Sequence, residues 1–332
     1  MTILITGAGL IGCETARLLQ ARGERVVLFD INPRRADIDR LIGPGKAAIV
    51  QGDIADLDAL LATIDAHKVD RVVHTAAMLT GAILRDPARG LNVNIMGTVN
   101  VLEAARRRGV KRVVASSSTT ISYPAFSTFK GDRFPVDFEA HVLSQKPTSF
   151  YAVCKLACEH LTMQFHQDFG LDTVLLRYGA VLSEWAGPNT SIGGRMMRVL
   201  LEAAIQGRTA VMDDPMLLWN GGDDFIDARD CASANVAALF AADPKQRAYF
   251  VTMGKMHTLD DVIASVRKSF PGFKVDIRAT TKGSFANFPY VRPATSDISA
   301  NERELGWRPQ YDLDATVAAA AQAMREKIAA GN

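Results

Sequence analysis

Tyr151 stands four residues before Lys155 in the stretch "SFYAVCKLACEH". On a helix, positions i and i+4 project from one face, so the hydroxyl and the ammonium can enter the same cleft. A phenol ionises near pH ~10 and is a poor base at neutrality, but a nearby cation favours the phenolate. Lys155 would supply that charge. The tyrosine could then take a proton from a substrate hydroxyl while hydride leaves the same carbon. An isolated pair of this spacing reads first as a packed ring beside a lysine stem, and what lies upstream weighs against that reading.

Upstream, "TILITGAGLIG" is an apolar run followed by G-x-G-x-x-G at Gly7, Gly9 and Gly12, and then by the helix-like "CETARLLQARG". Gly7 permits a tight turn, Gly9 lets the backbone approach a pyrophosphate, and Gly12 lets helix and strand pack closely, with Leu10 and Ile11 opening the helix. Asp30 closes the second apolar run 18 residues past Gly12, just before Ile31. A carboxylate there would hold ribose hydroxyls and repel a 2′-phosphate, so NAD is expected over NADP, although Arg34 and Arg35 stand nearby. Asp53, followed by Ile54 in "QGDIAD", ends the third run at the same sheet edge. It can accept from an adenine amino group or cap a helix.

These residues need a scaffold, and the pattern predicts one. The runs "TILIT", "RVVLFD", "AAIVQGD", "DRVVHTAA", "KRVVASSS" and "DTVLLRY" alternate with amphipathic segments of helical length over residues 1–180. Continuous Val/Ile/Leu runs are strands buried on both faces, and their alternation with helices implies an α/β, doubly wound parallel sheet. Beyond 180, "SEWAGPNTSIGG" and "MDDPMLLWNGGDD" are loops between shorter elements: a helix near 230–242, a strand at "AYFVTM", a helix from about 258 and a closing helix after 313. The expected layout is a dinucleotide-binding domain over 1–180, to which later segments return, and a smaller, mainly substrate-binding subdomain over 181–332. The site would lie in the crevice between them.

Composition narrows the partners. The chain has 332 residues, 48% hydrophobic and 22% charged, with a formal charge of +2, which is that of a soluble globular protein and not of a polyanion binder. The basic cluster Arg106-Arg107-Arg108 with Lys111-Arg112 reads as charge at a helix C-terminus. The N-terminus lacks a basic region and a cleavage site, and no run reaches the ~18 apolar residues of a membrane helix, so a cytoplasmic protein is expected. Four cysteines make no disulfide framework, and six histidines without a clustered motif give no metal site. The expected partner is a small molecule, not nucleic acid or membrane.

In order and spacing, the glycine turn, Asp30, "GDIAD", "HTAA" at 74–77, "NIMGT" at 94–98, "SSS" at 116–118, "YAVCK" at 151–155, "FIDARDCA" and "ANERELGWRPQYDLD" resemble the extended short-chain dehydrogenase/reductases, the NAD-dependent epimerase/dehydratase group. The resemblance runs over nearly the whole chain and implies a Rossmann fold. It also implies that Ser118 hydrogen-bonds the reacting oxygen, with Ser116 and Ser117 as alternatives, and that Lys155 holds ribose. Ala76, Ala77 and Tyr178 would line the cofactor, and Asn94 would steady backbone beside it or serve as a helix cap. Such proteins often dimerise through the helices bearing N-x-x-G-T and Y-x-x-x-K, so a homodimer with Leu156 or Leu161 in its interface is expected.

Departures from the family pattern carry information. Dehydratases of this group have Asp-Glu directly after the catalytic hydroxyl; here Thr119-Thr120 follows, so dehydration is not expected, and Thr119 becomes a candidate substrate contact. In sugar-nucleotide epimerases an arginine before the D-F-I segment grips the substrate diphosphate; here that position is Asp223, in "GGDDFID". The tail and "RYGAVLSEWAGP" look closer to the threonine-3-dehydrogenase-like members. The resulting expectation is an NAD-dependent dehydrogenase acting on a small polar substrate such as a hydroxy acid, sugar or sugar acid, with a sugar-nucleotide epimerase as the alternative. A non-catalytic nucleotide sensor is disfavoured by the intact Ser/Tyr/Lys set. Arg292 is a candidate anion ligand, ahead of Arg195 and Arg208, and "SYPAFSTFKGDRFPVDFEAHVLSQKPTS" is either a substrate lid or a surface excursion.

Overall fold

The apolar runs become strands because each has a hydrophobic layer waiting on both of its faces. The computed structural model describes residues 1–329 apart from 139, 142 and 143. Its main sheet consists of β1 (Thr2–Thr6), β2 (Arg25–Asp30), β3 (Ala48–Gln51), β4 (Arg71–His74), β5 (Arg112–Ser118), β6 (Thr173–Tyr178) and β7 (Ala248–Val251). All pairings are parallel, in the order β7-β6-β5-β4-β1-β2-β3. Every residue of β1 and β6 is buried, as a sheet covered on both sides requires. This is the Rossmann arrangement, and its order reverses at β1 and β4, where the carboxyl ends of the strands open a crevice.

One face is covered by the helices Leu57–His67 and Gly97–Arg107, through Leu60, Ile64, Val101 and Leu102. On the other, the helix Leu10–Ala21 packs against the helix Ala228–Phe240. That helix and β7 return from beyond residue 180 to the nucleotide-binding half. The remaining C-terminal segments form small sheets, with Asp223–Ile226 between Ala180–Val181 and Met256–His257, and Thr295–Ser296 beside Arg133–Phe134. Their core is rich in aromatics and methionine, including Phe134, Phe225, Met196 and Met197.

One open alternative from the sequence is decided here. The stretch after Ser118 is no surface excursion, since Tyr123, Phe126 and Phe134 are buried in the core of the C-terminal half; the part of the lid reading that falls on residues 139, 142 and 143 lies outside the described residues. The basic cluster stands at a helix C-terminus, with Arg106 and Arg107 in the last turn of Gly97–Arg107, and is also engaged in ion pairs: Arg106 and Arg107 with Glu103, Arg108 with Asp65, and the buried Arg112 with Asp172 at 2.7 Å.

The helix Phe150–Phe169 starts where Ser149 Oγ accepts from the Ala152 N–H at 3.1 Å and stops at Gly170, whose φ is 66°. Arg177 of β6 donates to both carboxylate oxygens of Glu159 at 2.8 and 2.7 Å, and both residues are buried. This two-pronged bond fixes the helix against the sheet and so sets where Tyr151 and Lys155 stand.

His74, at the end of β4, is buried between Thr6 Oγ1 (2.6 Å from Nδ1) and Thr98 Oγ1 (3.0 Å from Nε2). Burial first, and the charge of Lys155 second, push its pKa down from 6.5 to about 3. The unfolded chain therefore binds a proton that the folded one refuses, and stability is lost as the pH falls below about 6.5. The loss is about 2 kcal/mol by pH 5. Chemical denaturation across pH 4.5–7.5 checks this, and His74→Gln should flatten the acid limb.

Candidate active site

The glycine turn shows why three glycines stand where they do. Gly7 has φ +93°, and a Cβ on it would lie 2.7 Å from the Ala76 nitrogen; a Cβ on Gly12 would lie 1.9 Å from the Gly7 oxygen. A Cβ on Gly9 would meet no protein atom within 4 Å. The first two are excluded by the fold itself, whereas Gly9 faces open cavity, where a ligand's phosphates can come against backbone.

Asp30 is oriented by the turn it serves: its Oδ2 accepts from the Ala8 N–H and its Oδ1 from the Asn32 N–H, both at 2.8 Å. Asp53 accepts from the Ala55 N–H at 2.9 Å, and the cap of the next helix is Asp56, so the capping alternative for Asp53 does not hold. Gly7, Gly9, Leu10, Ile11, Gly12, Asp30, Ile31, Asp53, Ile54, Ala76, Ala77 and Tyr178 all line one cavity of about 510 Å³.

Ser118, Thr119, Tyr151 and Lys155 line the same cavity. The Lys155 ammonium donates to the Ser116 carbonyl at 2.7 Å and lies 3.3 Å from Ser116 Oγ, 5.7 Å from the centroid of the Tyr151 ring. Strand alternation puts Ser116 and Ser118 on one face of β5 and Ser117 on the other. Ser118 Oγ, at the strand end, accepts only the Thr120 N–H, at 3.2 Å, among the described residues, so its proton is available to a bound oxygen. Tyr178 presents its ring to the cavity and donates its hydroxyl to Asn235 at 2.6 Å.

Two expected site residues do not reach the cavity. Asn94 is buried in a wide helical turn, where its amide accepts from the Met78 N–H at 2.7 Å and donates to the Met78 carbonyl at 2.9 Å. It bolts the loop after β4 in place and contributes no lining surface. Arg292 is buried too, donating to Ser296 Oγ at 2.6 Å and the Ala294 carbonyl at 3.0 Å, with Asp223 and Asp224 at 3.6 and 3.7 Å. It is therefore a structural cation and no ligand for a substrate anion. Tyr123, from the stretch offered as a substrate lid, lines the cavity, as do Trp185, Phe285 and Phe288, which sequence reading did not single out. No motif marks the last three, and their only signal is that aromatics recur in the loops of the second half.

Residues 3–251 match the family model described as the NAD dependent epimerase/dehydratase family. The chain belongs to that family. It is 30% identical to a UDP-glucose 4-epimerase of Lacticaseibacillus casei, over 94% of this chain and 93% of that one. In fold it is similar to the UDP-glucose-4-epimerase of Stenotrophomonas maltophila (TM-score 0.82, 24% identity, 99% of each chain). It is also similar in fold to a GalE-like L-threonine dehydrogenase of Cupriavidus necator (TM-score 0.81, 24% identity, 98% of this chain and 100% of that one). The family cofactor is NAD, and this member's residues fit it: open space over Gly9, a carboxylate held ready at Asp30, and a second at Asp53. Among the described residues no helix is long and apolar enough to cross a membrane.

Proposed function

We propose that this protein is an NAD-dependent oxidoreductase that oxidises a secondary hydroxyl of a small polar substrate, a hydroxy acid, sugar or sugar acid. Bound NAD supplies the hydride acceptor. Tyr151 takes the hydroxyl proton as general base, Ser118 Oγ donates to the reacting oxygen and orients it, and Lys155 sets its charge beside the tyrosine while holding ribose. The observation that carries this reading is the Lys155 ammonium locked on the Ser116 carbonyl at 2.7 Å, on the strand that ends in Ser118 and below the Tyr151 ring. A lysine serving only as surface charge would not be buried there. In this reading residues 181–332 mainly shape the substrate, and a cytoplasmic setting suits four cysteines that are all free and buried.

A second reading is a sugar-nucleotide epimerase using the same three side chains, and the 30% identity to an epimerase favours it. Against it stands the Asp223–Arg292 pair, which puts a carboxylate and an already engaged guanidinium beside the substrate end. Incubation with NAD and a panel of polyols, hydroxy acids and sugar nucleotides separates the two. Net NADH supports oxidation; inversion of the substrate carbon without net NADH supports epimerisation and sinks the first reading for that substrate.

We further propose a homodimer. Phe150, Val153 and Leu156 are exposed along one helix, with Met96 and Leu84 exposed on elements that pack against it, an apolar face of the kind that marks an interface. Leu161 is half-buried and is the poorer probe. Leu156→Glu should halve the apparent mass in size-exclusion chromatography with light scattering; an unchanged mass in a folded variant argues against this face.

A further inference from the structure

The substrate end of the cavity is walled by aromatic rings, and the charges near it are already paired behind that wall. Tyr123 and Phe288 line it together, with ring centroids 4.8 Å apart, and Phe285 adjoins them. The Tyr123 hydroxyl donates to the Asp223 carboxylate at 2.8 and 2.9 Å, and the Phe285 N–H donates to the same group at 3.3 Å. Arg292 closes the network from the other side of Asp223 and stacks over Phe126, 5.1 Å from its ring centroid. Asp223, Asp224 and Arg292 are each at least 98% buried.

The turn that carries the rings is itself constrained. Ala286 and Asn287 have φ of 64° and 55°, left-handed values that non-glycine residues rarely adopt in succession. The Ser284 N–H donates to the Phe288 carbonyl at 2.9 Å, and a Cβ on Gly283 would lie 1.8 Å from that oxygen. The strained turn sets Phe285 and Phe288 in the cavity wall, Phe285 backed by Trp219 and Phe225, and its N–H bond to Asp223 holds the turn there. Among the described residues, the cations lining the cavity are Lys155, already engaged by Ser116, and Arg89. Arg89 is exposed and stands one helical turn before Val93, which packs with Ile54 and Ala76 on the cofactor side.

We infer that Phe285 and Phe288, backed by the Tyr123–Asp223–Arg292 network, are specificity-determining residues that select an uncharged substrate with an apolar face, such as a neutral sugar ring. They select against one bearing a carboxylate, phosphate or diphosphate. The inference rests on the oxidoreductase reading for its chemistry. Rings offer a face to the C–H groups of a neutral sugar and nothing to an anion, while two carboxylates against the single Arg292 guanidinium leave an excess of negative charge behind the wall, which repels one.

The test compares neutral sugars and polyols with acids of the same carbon skeleton as substrates of the NAD-loaded protein, and measures UDP binding to it by calorimetry. The neutral member of each pair should win by about tenfold or more in kcat/KM, and UDP should show no binding. Phe288→Ala should raise KM for the neutral substrate about tenfold with kcat and NAD affinity little changed. Asp223→Asn, checked for folding by circular dichroism, should narrow the neutral-to-acid ratio about tenfold. Preference for the acid, or tight UDP binding, overturns the inference even where NADH is formed. Absence of NADH with every alcohol strikes the oxidoreductase reading, and calorimetry of neutral against acidic ligands then still decides the selectivity. Loss of acid turnover in Arg89→Ala would likewise overturn it, by placing an anion site at that residue.

Discussion

Tyr151→Phe is expected to lower kcat by about a thousandfold while changing the NAD dissociation constant less than about threefold. The substitution removes one oxygen and leaves the ring, which can still fill its place. Lys155 keeps its bond to the Ser116 carbonyl at 2.7 Å, because no part of that bond depends on the tyrosine hydroxyl. What disappears is the group that accepts the substrate proton, and no other described side chain near Lys155 offers an equivalent base. His74 is held neutral, but it is buried and engaged at both ring nitrogens. NADH absorbance for turnover and calorimetry for cofactor binding check the two halves separately. A variant retaining more than about a tenth of the wild-type rate would remove Tyr151 from the chemistry.

Gly12→Ala is expected to abolish measurable NAD binding and to lower stability by about 3 kcal/mol. The added methyl would sit 1.9 Å from the Gly7 oxygen, a backbone atom that can move only if the turn and the helix Leu10–Ala21 separate. That helix packs on the helix Ala228–Phe240, so the displacement would be opposed by the second half of the chain. Gly9→Ala is the informative partner, since its Cβ meets no protein atom within 4 Å. It should leave the melting temperature of the free protein unchanged and erase the stabilisation that NAD confers. Thermal denaturation of both variants, with and without NAD, distinguishes a fold requirement from a ligand requirement. Equal behaviour of the two would mean that the open space above Gly9 is not where the cofactor lies.

Much of the nucleotide end was legible because its constraints are local. A turn that must admit φ +93° at Gly7 and a contact that tolerates no methyl at Gly12 leave glycines at fixed spacing. The carboxylate of Asp30 follows from the length of one helix and one strand. The sequence left Ser116 and Ser117 as alternatives to Ser118, because the choice depends on which face of β5 meets the helix carrying Lys155 and on which hydroxyl that lysine already engages. Asn94 steadies backbone beside the cavity, its amide engaged at both ends by Met78, 16 residues away; what the sequence could not show is that it adds no lining surface of its own.

The substrate end was the least legible part. Arg292 looked like an anion ligand because an arginine in a loop carries no sign of being buried. Its partners Asp223 and Asp224 lie about 70 residues earlier, and Tyr123 lies 100 residues before Asp223. Sequence alone determined the Rossmann half and the tyrosine–lysine pair, since strand and helix periodicity and four-residue spacing are written along a continuous stretch of chain. Only the tertiary structure decided that Arg292 is gathered with Asp223 and Asp224 behind a wall of Tyr123, Phe285 and Phe288. Whether a charge faces a cavity or a counter-charge depends on how distant segments pack, and burial makes the paired arrangement the only one that avoids stranding an ion away from water.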